Sequence, residues 1–219
     1  MKASEQTYLN ESLFHAIDTG RLSAVKKAVC LGADLATVTK GKQTPLFYAI
    51  NQQAPVAIQN YLIDRTFQVN FVSVNGLSVL QLAVHKNAPA LAKLLQHPAL
   101  DINYQSITGS ALNIAINENK PEIVKLLLTH PDIWVNARNA EQETPLIQAV
   151  ILQRPEIVAL LLKHKDINVH LAHPLMGSPA QIAFRSGNGG ILSMLKSKDA
   201  VCKMPLLHHM AAERQKTYA

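Results

Sequence analysis

One short pattern returns along the chain at nearly constant spacing, and it limits the possible folds more than any other feature. "SLFHAI", "TPLFYAI", "SVLQLAV", "SALNIAI", "TPLIQAV" and "SPAQIAF" place alanines at Ala16, Ala49, Ala83, Ala115, Ala149 and Ala183, in steps of 33, 34, 32, 34 and 34 residues. A period in this range marks an array of small supersecondary units. About six such units, terminal ones included, fill the 219 residues.

Each unit contains two helix starts. Thr44, Ser78, Ser110, Thr144 and Ser178 carry hydroxyls suited to capping free N–H groups, and Pro45, Pro145 and Pro179 follow at the first helical position. Pro55, Pro89, Pro121 and Pro155 then open apolar runs such as "PEIVKLLL" and "PEIVALLL", whose i, i+3, i+4 spacing makes one broad apolar face. A unit is therefore two short helices and a connector. Such a pair cannot bury its apolar faces alone, so neighbours must stack, and an all-α solenoid of helix-turn-helix units follows. With 48% hydrophobic but only 5% aromatic residues, Leu, Ile, Val and Ala must fill its core.

Composition narrows the function classes. The net charge of +6 comes from scattered Lys and Arg without the clustered footprint of a nucleic-acid binder, so nucleic acid is not expected as a partner. Cys30 and Cys202 are too isolated for a disulfide framework, which favours a reducing, cytoplasmic compartment. The first twenty residues lack an apolar signal core, and no window approaches the roughly 18 apolar residues of a spanning helix, so no membrane association is expected.

These residues resemble the ankyrin repeat family. "TPLFYAI" and "TPLIQAV", "EIVKLLLTH" and "EIVALLLKH", and "GRLSAVKKAVCLGADL" at residues 20–35 carry the resemblance, which covers roughly residues 9–198. It implies hairpin-like connectors and an array at 1–198: an N-terminal unit at about 9–40, repeats at about 41–74, 75–106, 107–139 and 140–171, and a C-terminal unit at 172–198. Residues 199–219 form a capping helix or tail, or lead into a further domain. The histidine that the family carries after Thr-Pro-Leu is replaced by Phe47, Gln81, Asn113, Ile147 and Gln181, so its inter-repeat hydrogen bonds cannot be assumed.

Apparent chemical sites dissolve against the repeat. His97, His130 and His164 recur once per unit at helix ends, which spreads them along the solenoid in a capping role. His164, His170 and His173 straddle a connector without convincing metal spacing. Cys202 with His208 and His209 lacks a cleft or an orienting third group, and Cys30 reads as core. "GNGG" at 187–190 lacks the strand and lysine of a phosphate loop. No catalytic, metal or cofactor role is assigned.

Recognition remains. The resemblance implies a monomeric, noncatalytic scaffold that holds a protein partner on its concave face and connector tips, with an acidic segment as one complement to the basic N-terminal tips. Carried over position by position, it implies contacts at Asn51 and Gln52, His85 and Lys86, Asn117 and Glu118, Ile151 and Leu152, and Arg185 and Ser186. The tips add Lys40, Lys42, Val74, Ser106, Ile107, Glu141, Glu143 and Leu175. Ile151 and Leu152 read either as inter-repeat core or as an apolar hot spot. Trp134, on the connector after His130-Pro131, reads either as packing against the next arm or as an aromatic anchor. Lys93, Lys125 and Lys163 read as a solvated convex face.

Two further expectations concern context. The His-Pro-Asp endings resemble ankyrin domains of effectors that bacteria deliver into host cells, which implies a host-protein partner in host cytosol or nucleus. The alternative is that these repeats target a larger enzyme whose catalytic domain lies outside this chain.

Overall fold

The computed structural model describes residues 3–38 and 41–198, and among them every regular element is a helix. They are α1 (Ala3–Asp18), α2 (Leu22–Cys30), α3 (Pro45–Asn51), α4 (Val56–Ile63), α5 (Val79–His85), α6 (Leu91–Leu94), α7 (Ala111–Asn117), α8 (Pro121–Leu127), α9 (Pro145–Ile151), α10 (Pro155–Lys163), α11 (Pro179–Arg185) and α12 (Gly189–Lys198). Odd-numbered helices pack against one another in sequence order as an inner row. Among the outer ones α2, α4 and α6 stack in turn, as do α8, α10 and α12.

The inner helices start where the hydroxyls predict. Thr44, Ser78, Ser110, Thr144 and Ser178 accept hydrogen bonds from the backbone N–H three residues on. Gln81, Asn113 and Gln181 return the bond to the cap's own N–H, which completes a reciprocal capping box. Pro121 and Pro155 open α8 and α10, whereas α6 begins two residues after Pro89 and lasts a single turn.

The repeating alanine has a physical reason. Ala49, Ala83, Ala115, Ala149 and Ala183 are fully buried, and their carbonyls accept N–H bonds from Ala54, Ala88, Lys120, Arg154 and Asn188 at 2.8 to 3.0 Å. This bond ends each inner helix through a left-handed residue: Gln53, Asn87, Asn119, Gln153 or Gly187. The chain thereby reverses within a few residues and lays the outer helix on the inner one.

An asparagine ladder, unforeseen in the sequence, locks the connectors together. Asn70 donates to Ala99 O (2.6 Å) and accepts from Asp101 N (2.8 Å). Asn103 bonds Asp132 O (2.7 Å) and Trp134 N (2.8 Å), and Asn136 bonds Asp166 O (2.6 Å) and Asn168 N (2.9 Å) in the same way. Each side chain satisfies one donor and one acceptor of the next unit's backbone, which would otherwise depend on water.

Cys30 corrects the expectation of a core cysteine. Val25 and Ala28 turn the buried face of α2 inward, and two residues beyond Ala28 the helix has rotated about 200° and exposes Cys30. The capping helix or tail expected at 199–219, with Cys202, His208 and His209, lies outside the described residues.

Replacing Asn103 with alanine removes two inter-repeat bonds and leaves both backbone partners unpaired. Urea unfolding is expected to show a loss of about 1–2 kcal/mol, whereas alanine at the exposed tip residue Asn75 should change stability by less than about 0.5 kcal/mol.

Candidate binding surface

At Phe47, Gln81 and Asn113 the inner-helix position three residues after the cap reaches toward the next tip or helix, though not through histidine. Gln81 Nε2 donates to Gly109 O (2.6 Å) and Ser106 Oγ (3.1 Å), which holds the following tip. Asn113 Nδ2 donates to Gln148 Oε1 (2.8 Å), and Gln148 Nε2 donates back to Asn117 Oδ1 (2.9 Å). At Phe47 the link becomes an edge-on ring contact with Phe71, centroids 5.5 Å apart. Side-chain amides and one aromatic pair thus take over the coupling that the missing histidines left in doubt.

The tips are tight turns closed by isolated antiparallel bridges at Val72 with Ser78, Ser106 with Gly109, and His173 with Gly177. Gly109 has φ of +90°, and a Cβ there would meet the Asn113 side chain at 2.8 Å. His173 is buried under its tip: Nδ1 accepts from Leu175 N and Met176 N, both at 3.1 Å. Its ring proton therefore sits on Nε2, which donates to Glu141 O of the preceding tip at 2.9 Å. Arg138 bridges the same two tips, donating to Gln142 O (2.6 Å) and Ala172 O (2.8 Å). On these braced turns Val74, Ile107 and Leu175 stand 68%, 83% and 88% exposed.

The other predicted residues divide by environment. Lys42, Gln52 and Glu141 are exposed, Ser106 and Lys86 half-buried, and Lys40 lies outside the described residues. Asn51 is half-buried at the end of α3. Glu143 is drawn inward by Asn139, whose Nδ2 donates to its carboxylate at 3.1 Å. Ile151 and Leu152 are both half-buried, and Leu152 packs on the core. Arg185 is exposed but reaches back to Met176 O, while Ser186 Oγ donates to Ala183 O.

Trp134 is 64% exposed while its N–H is held by Asn103. It stands where Asp34, Asp101 and Asn168 each accept from the N–H two residues on, a local bond that tryptophan cannot make. Phe67 is almost wholly exposed on the connector after α4, in a unit without the His-Pro ending that marks this connector in the third and fourth.

His97, His130 and His164 are capping residues, each Nδ1 accepting at 3.2 Å from the N–H of Ala99, Asp132 or Asp166. Among the described residues no group of three His, Cys, Asp or Glu is placed to hold a metal ion, and no helix is long and apolar enough to cross a membrane.

Charge gathers at the inner-helix ends of the third and fourth units. His85 Nδ1 and Lys120 Nζ each lie 2.5 Å from a Glu118 oxygen, and Lys120 also donates to the carbonyls of Val84 and His85. Burial pushes the Glu118 carboxyl up, but the hydrogen bonds from Lys120 and then His85 outweigh it and hold its pKa below the ordinary value.

The arrangement defines a class: a helix-pair repeat solenoid whose connectors are pinned side by side and whose tips project from a common edge. More narrowly, the chain belongs to the ankyrin repeat family. The family model described as "Ankyrin repeats (3 copies)" matches residues 13–106 and 100–173. The chain is 28% identical over 143 residues to the ankyrin repeat protein FPV022 of fowlpox virus (strain NVSL), covering 65% of this chain and 24% of that one. It is 28% identical over 138 residues to the ankyrin repeat protein YahD of Escherichia coli (strain K12), covering 63% and 68%. Among solved structures it is similar to the ankyrin repeat domain of Bcl-3, a member of the IkappaB protein family, at 26% identity and a TM-score of 0.77 over 86% of each chain. An ankyrin repeat domain from Acinetobacter baumannii AYE shares the fold, with a TM-score of 0.76 at 24% identity over 85% of this chain and 96% of that one.

The Glu118 cluster carries a pH signature. A carboxylate whose folded pKa is lowered stabilises the fold above its unfolded pKa and loses that contribution as pH falls through the folded value. Wild type should therefore exceed Glu118→Gln by up to about 1 kcal/mol near neutrality, the scale of a partly exposed ion pair. The gap should close as urea titrations move below the ordinary carboxylate range.

Proposed function

We propose that the chain is a noncatalytic interaction scaffold that takes an extended segment of a partner protein along its connector tips and inner-helix ends. The observation that carries this reading is the row of Val74, Ile107 and Leu175, exposed apolar side chains on turns tied to the next connector through Tyr104, to the preceding inner helix through Gln81 and to the preceding tip through His173. Exposed apolar groups on preorganised backbone lose little conformational freedom on binding. Ankyrin repeats are generally protein-interaction modules, and the family assignment supports the same conclusion.

The row changes character along its length. Lys42 is exposed at the first tip and Glu141 at the fourth, so the complementary segment presents apolar residues toward Val74, Ile107 and Leu175 and an acidic end toward Lys42. Trp134, on the connector between the third and fourth tips, adds a large aromatic surface. We place the protein in the cytoplasm as a monomer, a setting that suits its unpaired, exposed Cys30. A second reading, in which the repeats target a larger enzyme, draws on the chain's match to the fowlpox virus relative, which spans only 24% of that protein.

The test is affinity capture from cell lysate by wild type and by a Val74→Asp, Ile107→Asp, Leu175→Asp variant whose circular dichroism and melting are unchanged. A protein retained by wild type and weakened at least about tenfold in the variant, the scale of losing central apolar contacts, supports the scaffold. Equal capture by both would move the site off the tips.

A further inference from the structure

We propose a second docking site on the opposite, convex side: the groove between α8 and α10, which takes an acidic peptide segment interspersed with apolar residues. The groove encloses about 510 Å³ at the C-terminal ends of the two helices. Its charged lining is of one sign, with Lys125, Lys163 and Lys165 and no carboxylate. Lys125 and Lys163 have no carboxylate within 4 Å among the described residues, and Lys165 meets only Asp166, at 4.0 Å with both side chains largely in water. Helix C-termini favour cations through the backbone dipole, which suits the placement of these lysines.

His130 and His164 complete the lining. Because each Nδ1 accepts a backbone N–H, the ring proton rests on Nε2, and both rings offer donors to a ligand. Leu128 and Leu160, half-buried, supply apolar surface between the cations. The repeat provides its own contrast. A furrow of about 450 Å³ between α6 and α8 lies instead at the N-terminal ends of its helices and carries Lys120 beside Glu122, with Lys120 already bonded to Glu118. Of these two furrows, only the one at the C-terminal ends of its helices has a charge surplus.

The chemistry favours carboxylates on an extended chain over a compact phosphate. A phosphate is held best by converging donors such as an arginine fork or a helix N-terminus. The groove has neither and spreads lysine point charges along its length. Nucleic acid would call for stacking aromatics, and none lines it. This site is independent of the tip surface, and the two can fail separately.

The probe is a fluorescein-labelled peptide of repeating Asp-Glu-Leu, followed by anisotropy against full-length protein at low and high salt. Wild type should bind with an affinity that falls as salt rises. The Lys125→Glu, Lys163→Glu, Lys165→Glu variant should bind about tenfold more weakly or worse, the scale of three exposed ion pairs turned repulsive. Ile107→Asp with Leu175→Asp should bind as wild type does. Methyl NMR shifts of Leu128 and Leu160 on addition of peptide to unaltered protein give a readout that does not depend on any variant folding. No binding by wild type, undiminished binding by the lysine variant, loss in the tip variant, or displacement by inorganic phosphate as effective as by unlabelled peptide would each overturn the proposal.

Discussion

No helix pair in this chain can stand alone, and the structure depends on how each pair is coupled to the next. An inner helix of seven residues, such as α5 or α7, is far below the length at which an isolated helix persists in water. Stability must come from burying Leu, Ile, Val and Ala between neighbours. Apolar burial alone would leave the stacking register soft. Directional bonds from Gln81, Asn113 and Gln148 through the interior, and from Asn70, Asn103 and Asn136 through the connectors, fix it from two sides.

This coupling also shapes the surface. A tip held by the preceding inner helix, as the third is by Gln81, can present Ile107 to water without collapsing onto the core. At the fourth and fifth tips Arg138 and His173 do the same work across repeats, which explains why a histidine is buried there. On the convex side the same stacking leaves furrows between outer helices whose chemistry is free to vary. Lys93 pairs there with Asp64 of the preceding unit at 2.7 Å, whereas Lys125 and Lys163 carry no inter-repeat bond among the described residues, so charge can accumulate at little cost to the fold.

Much of the architecture was legible because it repeats. The alanine period, the Ser/Thr caps and the prolines each encode a local backbone requirement, and each matched an inner-helix start or turn; the outer starts matched less evenly, α6 beginning beyond Pro89. The asparagine ladder was equally periodic, with Asn70, Asn103 and Asn136 spaced by 33 residues, yet asparagine in a connector reads first as a turn residue. Its role depends on the backbone of the next unit, which no local window contains. Cys30 was misplaced because one residue's rotation about a helix decides its exposure. The convex groove was illegible for another reason: Lys93, Lys125 and Lys163 read together as one solvated face, and only stacking places Lys125 and Lys163 across one furrow.

Backbone hydrogen exchange at Trp134 reports whether each connector is held by its neighbour. Its residue is exposed on a connector, so an unsupported loop would exchange near the rate of a free peptide, whereas a locked one would not. The Trp134 amide should exchange at least about a hundredfold more slowly than an unbonded peptide amide, and Asn103→Ala should abolish this protection. Free exchange of that amide in the wild-type protein would contradict this, because the connectors would then not be held by their neighbours.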